Sequence, residues 1–148
     1  TPIEIYKNPV NTFVAGFLAS PPMNLFDASL TAADSEINIQ FSGNVVTLPK
    51  KRFASLMKYI DGEIVFGIRP EDIYPEEITE NMAPFDVTVL AVESLGPETI
   101  LVSHLMDGQE IYARLDRSFK AGYNTKIRLY VDISKIKLFD SNTTLAIH

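Results

Sequence analysis

Beyond the double proline Pro21-Pro22, the apolar residues of this chain recur with a period of two. Ile37, Ile39 and Phe41 alternate with Asn38 and Gln40, and Ile127, Leu129 and Val131 alternate with Arg128 and Tyr130. Phe85, Val87, Val89 and Ala91 define a longer run of the same kind. A period of two puts every second side chain on one face, the pattern of a half-buried strand. Turn signals separate the runs. Ser42-Gly43-Asn44 leads into Val45–Leu48, Leu95-Gly96-Pro97 ends the long run, and Asp107-Gly108 joins Thr99–Leu105 to Glu110–Leu115. Further strands are expected at Met23–Thr31, Ile136–Phe139 and Thr144–Ile147. Phe53, Leu56, Met57 and Ile60 have helical spacing instead, which predicts an amphipathic helix over Lys50–Tyr59 with Met57 as core filler. Many short antiparallel strands of this kind imply an all-β small barrel or sandwich with short accessory helices.

One stretch organises the rest: Gly62–Tyr74, reading Gly-Glu-Ile-Val-Phe-Gly-Ile-Arg-Pro-Glu-Asp-Ile-Tyr. Ile64, Val65, Phe66 and Ile68 favour a strand. Gly67 interrupts it, as a bulge or a close backbone approach would require. Pro70 ends it, because proline has no N–H for the ladder. Glu71 and Asp72 then suit the first turn of a short helix, where carboxylates meet the positive end of the dipole. Arg69 stands at the mouth of the strand, and its side chain is expected to hydrogen-bond carbonyls at the barrel rim.

Ahead of the prolines the reading is helical. Thr1-Pro2-Ile3-Glu4 has the form of a capping box, and Asn11 can cap a second helix over Thr12–Leu18. Ser20-Pro21-Pro22 is a stiff break, and the domain boundary is placed there, with 1–20 as a linker and 21–148 as the β domain. Phe13–Ala19 is too short to span a bilayer, and no basic region precedes it as in a signal peptide.

The net charge of −6 is unevenly distributed. From Asp61 to Asp116 there are 13 acidic residues against two basic ones, Arg69 and Arg114, whereas 117–148 holds six basic and two acidic. An acidic centre repels a phosphate backbone. Tyr112, Arg114, Arg128 and Tyr130 form the one combination that mimics an oligonucleotide-binding face. The chain has no cysteine, so thiolate metal sites and disulfides are excluded.

Chemistry-bearing motifs are few. Gly62 and Gly67 have phosphate-loop spacing, but Ile68 and Arg69 follow where that loop needs Lys and Ser or Thr. His104 and His148 lack ligand spacing, and a local hydrogen bond suits the His104 imidazole. No serine has a histidine at triad spacing, and Glu71, Asp72, Glu76 and Glu77 read as a solvated loop. No catalytic, cofactor-binding or metal residue is assigned.

Three segments carry a family resemblance. Gly67-Ile68-Arg69-Pro70-Glu71-Asp72-Ile73 resembles a signature in the C-terminal regulatory domain of sugar-importing ABC transporter ATPases of the maltose-transporter type. Thr1–Asn24, with Phe-Val-Ala-Gly-Phe-Leu-Ala-Ser-Pro-Pro-Met-Asn at its end, resembles the segment leaving the nucleotide-binding domain, and Glu93-Ser94-Leu95-Gly96 with Glu98-Thr99 is a third match. The resemblance implies an OB-like barrel of the transport-associated (TOBE) type. It implies a non-catalytic regulatory and dimerisation role in a parent that uses ATP and Mg, while this chain holds no cofactor. The expected partners are a second copy of the ATPase subunit, membrane subunits reached through the missing domain, and a regulatory protein, but no nucleic acid. The expected location is the cytoplasmic face of the membrane. Glu93, Ser94, Leu95 and Gly96, with Arg69 and Glu71, are the candidate dimer or regulator interface. A small-molecule or oxyanion sensor is the alternative, and an oligonucleotide-binding module a third.

Overall fold

The computed structural model describes residues 21–51 and 53–147. The expected helices at Thr1–Glu4 and Thr12–Leu18 lie outside these residues. Among the described residues ten strands form two five-stranded sheets. In the first, β1 (Asn24–Ala33), β2 (Glu36–Phe41), β3 (Asn44–Pro49) and β4 (Glu63–Ile68) are followed much later by β10 (Lys137–Asp140), in the order β10-β4-β1-β2-β3. In the second, β5 (Ile73–Tyr74), β6 (Met82–Leu95), β7 (Glu98–His104), β8 (Glu110–Asp116) and β9 (Lys126–Asp132) run β5-β9-β6-β7-β8. All pairings are antiparallel. The two edges of the second sheet, β5 and β8, lie against each other, so that sheet curls towards closure. The fold is all-β, as the alternation implies, and OB-like, as the resemblance implies.

The alternation decides what is buried. Phe26, Ala28 and Leu30 of β1, Ile37, Ile39 and Phe41 of β2, and Phe85, Val87 and Val89 of β6 face one shared core. Phe41 joins the sheets: its ring centre lies 5.6 Å from Phe26, 4.9 Å from Phe66 edge-on and 6.4 Å from Phe85. The turn after β2 has two residues, Ser42 and Gly43, both with positive φ (46° and 82°), the type I′ geometry that matches strand twist.

Three expectations are corrected. The helix over Lys50–Tyr59 is a short 3-10 turn, Ala54–Tyr59. Its period of three turns Phe53, Leu56 and Tyr59 to the core and leaves Met57 42% exposed, so Met57 is not core filler. Gly67 is not bulged: it pairs in register with Leu25 and Lys137. The break in register lies in β6, between Val89 and Ala91. Thr144–Ile147 forms no strand, only a bridge between Ala146 and Phe139.

Candidate functional site

Gly67 is the floor of a small second cluster on the outer face of the first sheet, where Met23 and Phe139 pack with Leu25, Val65 and Ala146. A β-carbon on Gly67 would stand 2.8 Å from Met23 Sδ, 3.2 Å from Phe139 Cε2 and 3.3 Å from Leu25 Cδ2. The close approach expected at Gly67 is therefore made by side chains. They also fill the place a nucleotide phosphate would need above this glycine, so these residues do not fit ATP.

Ile68 is fully buried, and Pro70 starts a 3-10 turn of three residues, Pro70–Asp72. The Asp72 N–H donates to Arg69 O at 3.0 Å. Arg69 is 7% and Asp72 6% exposed, with Arg69 Nη1 and Asp72 Oδ2 3.8 Å apart. Arg69 thus lies largely beneath the surface. Burial pushes the Asp72 carboxyl above the usual aspartate range, Glu71 adds to this, and Arg69 opposes it. Burial likewise lowers the Arg69 guanidinium, against the pull of Asp72. Lys137, opposite Gly67 on β10, is lowered by burial and by the Arg69 charge.

Glu71 borders a groove of about 630 Å³ with Tyr74, Glu76, Arg114, Asp116, Phe119 and Lys120. Arg114 Nε lies 2.9 Å from Glu98 Oε2. Glu98 pairs with Leu95 across the two-residue turn Gly96-Pro97. The signature turn packs on β8, whose Arg114 reaches Glu98 of β7, so β7 and β8 stand between that turn and the segment Glu93–Gly96. Glu93, Ser94, Leu95 and Gly96 are all exposed, Leu95 to 58%. They form the tip of an arm: β6 runs on past the end of β9, which pairs with it only from Met82 to Thr88.

The nucleic-acid-like combination is divided by the topology. Tyr112 and Arg114 lie on β8, Arg128 and Tyr130 on β9, with β6 and β7 between them. Arg114 faces Glu98, and Arg128 Nε lies 3.0 Å from Asp86 Oδ1. The His104 Nδ1–H donates to Leu105 O at 2.9 Å, the local hydrogen bond expected there. Among the described residues no three acidic or histidine side chains gather as a metal would need. Sequence reasoning missed Asn24, a 5% exposed side chain bonded to both sheets. Its only signal was a polar residue in phase with the apolar face of β1.

The family model described as MalK OB fold domain matches residues 20–73, and the one described as TOBE domain matches residues 66–139. The alpha-glucoside transport ATP-binding protein AglK of Rhizobium meliloti is 35% identical over 95% of this chain and 38% of its own length. The oligosaccharides import ATP-binding protein MsmX of Bacillus subtilis is 34% identical over 99% of this chain and 40% of its own. The trehalose/maltose import ATP-binding protein MalK of Thermococcus litoralis is 36% identical, also over 99% and 40%. The chain thus spans about 40% of these curated relatives. Among solved structures, the cytoplasmic molybdate-binding protein ModG, with molybdate bound, aligns with a TM-score of 0.56 at 13% identity, covering 78% of this chain and 94% of that one. That is a likeness of fold.

Proposed function

The chain belongs to the TOBE domain family, and from that premise we propose that it is the C-terminal regulatory part of the ATP-binding subunit of a sugar-type ABC importer. In this reading 21–148 is the regulatory domain, and 1–20 is the tail of the nucleotide-binding domain that precedes it. ATP and Mg act in that preceding domain, on the cytoplasmic face of the membrane. This domain supplies no step of hydrolysis. It is a contact module: it holds one subunit to a second copy and thereby raises the effective concentration of the two moving ATPase domains.

The observation that carries the reading is the arm of β6 and β7, which projects Glu93–Gly96 past β9 and holds an apolar Leu95 in solvent. An exposed, polar-rimmed leucine on a projecting hairpin suits a surface that meets another protein. Because two identical subunits meet about a two-fold axis, one patch must serve both sides. The oxyanion alternative gains nothing from the groove, whose lining sets Glu71, Glu76 and Asp116 against Lys120 and the ion-paired Arg114. The test is to compare the parent subunit with and without residues 21–148. Loss of subunit association with ATP turnover retained per active dimer supports the reading. Unchanged association, or calorimetric binding of molybdate to the chain, goes against it.

A further inference from the structure

Among the described residues the arm leaves one strand edge open. Val89 is the last residue of β6 with a neighbour on the β9 side: its N–H donates to Thr125 O at 2.9 Å and its C=O accepts from Asn124 N at 2.8 Å. The register then shifts at Leu90. From Ala91 to Leu95 the described ladders give β6 a neighbour on the β7 side alone. The two-residue turn makes Leu95 and Glu98 a hydrogen-bonded pair, so alternation directs the main-chain groups of Ala91, Glu93 and Leu95 towards β7. The N–H and C=O groups of Val92 and Ser94 then point outwards. Such an edge is a template for strand addition.

Its surroundings choose among occupants. Exposed apolar side chains stand at both ends: Leu95 at the tip, and Tyr123, 76% exposed, next to the Asn124 that bonds Val89. A second copy added antiparallel about a two-fold axis would pair Val92 with Ser94 and set Glu93 directly against its own counterpart. That pair is of the close type, with α-carbons about 4.5 Å apart, where like charges destabilise. A basic residue at the same place reverses the sign, and the acidic stretch 61–116 favours a basic segment further.

We propose that the edge Val92–Ser94 receives an extended segment of a partner protein, added as a strand, with a lysine or arginine opposite Glu93. This rests on the reading of the arm as a contact surface, and adds to a tip that meets a second copy an edge that takes a different, basic partner.

The experiment titrates the isotope-labelled 148-residue chain with the acetylated peptide amide Thr-Val-Lys-Val-Thr, and separately with its counterpart bearing glutamate for lysine. Amide exchange and chemical shifts are read residue by residue. The lysine peptide should slow exchange at Val92 and Ser94 by about tenfold or more at saturation, and the glutamate peptide should bind about tenfold more weakly. Glu93→Lys should invert that preference. Ser94→Pro removes one outward N–H while sparing the bonds to β7, and should abolish the protection; if it fails to fold, Glu93→Lys still decides. Equal binding of both peptides, effects centred on Glu71 and Tyr74, or no effect would overturn the proposal. Protection that grows with chain concentration without peptide would make a second copy the occupant and overturn it too. Self-association read by sedimentation, with these amides unprotected, separates failure here from failure of the contact-module reading.

Discussion

The side-chain amide of Asn24 pairs with the main chain of Tyr112 as if it were a neighbouring strand. Its Oδ1 accepts from Tyr112 N–H at 2.8 Å and its Nδ2 donates to Tyr112 O at 2.9 Å. The same Nδ2 donates to Ile68 O at 3.0 Å. One side chain thus ties β1 and β4 of the first sheet to the edge of β8 in the second, just ahead of the signature turn. It satisfies main-chain groups that an edge would otherwise leave open.

Asn24→Ala should therefore destabilise the domain by about 2–4 kcal/mol, because it strands main-chain partners that water reaches poorly. Asn24→Asp keeps the acceptor but loses the donor, and should be no better than alanine. The urea midpoint checks both, and a loss below about 0.5 kcal/mol for alanine would show that the seam closes without this residue.

Gly67→Ala places a β-carbon where Met23, Phe139 and Leu25 already stand. A cost of about 1–3 kcal/mol is expected. Met23→Ala should cost less in the Gly67→Ala background than in the wild type, because the methionine sulfur is the nearest obstacle. Simple additivity in the double-mutant cycle would contradict this packing.

Asp72 gives a signed pH dependence. Its carboxyl is raised by burial, so the folded state holds the proton more tightly than the unfolded chain. Its contribution is fullest below the ordinary aspartate value and is lost as pH rises through the raised folded value. Arg69 and Lys135 oppose the shift, while Glu71 and Asp132 reinforce it. Asp107, Asp116 and Asp140 behave oppositely: hydrogen bonds hold them low, and their contribution is lost as pH falls. Both proteins carry those three, so they cancel in a comparison with Asp72→Asn. The stability of the wild type relative to that variant should decline as pH rises from the ordinary aspartate value through the raised folded one. A flat or rising difference would mean that Asp72 is not raised.

Much of this fold is written in local patterns. The alternation at Ile37–Phe41 and Lys126–Val131 marks real strands, the positive φ at Gly43, Gly96 and Gly108 falls at the expected turns, and Pro70 begins the expected helical turn. What sequence hides is non-local. Phe53, Leu56, Met57 and Ile60 fit an α-helical face, and only the actual 3-10 period separates Leu56 from Met57. Asn24 looks like any polar strand residue until β8, 88 positions away, is folded against it. Arg69 reads as a rim charge, yet its burial with Asp72 depends on how the two sheets meet. The arm is invisible for the same reason: a long β6 was legible, but not that its pairing with β9 would end at Thr88, opposite Lys126.

The central claim is that this is a contact domain whose arm meets a second copy of the subunit, and sedimentation across a concentration series tests it most directly. Without the ATPase domain to add its own contact, the chain should form a weak dimer, with a dissociation constant between about 1 μM and 1 mM. Leu95→Asp, at a side chain that makes no core contact, should weaken that dimer about tenfold or more while leaving the urea midpoint unchanged. A chain that stays monomeric to about 1 mM, or a dimer indifferent to Leu95→Asp, would contradict the account.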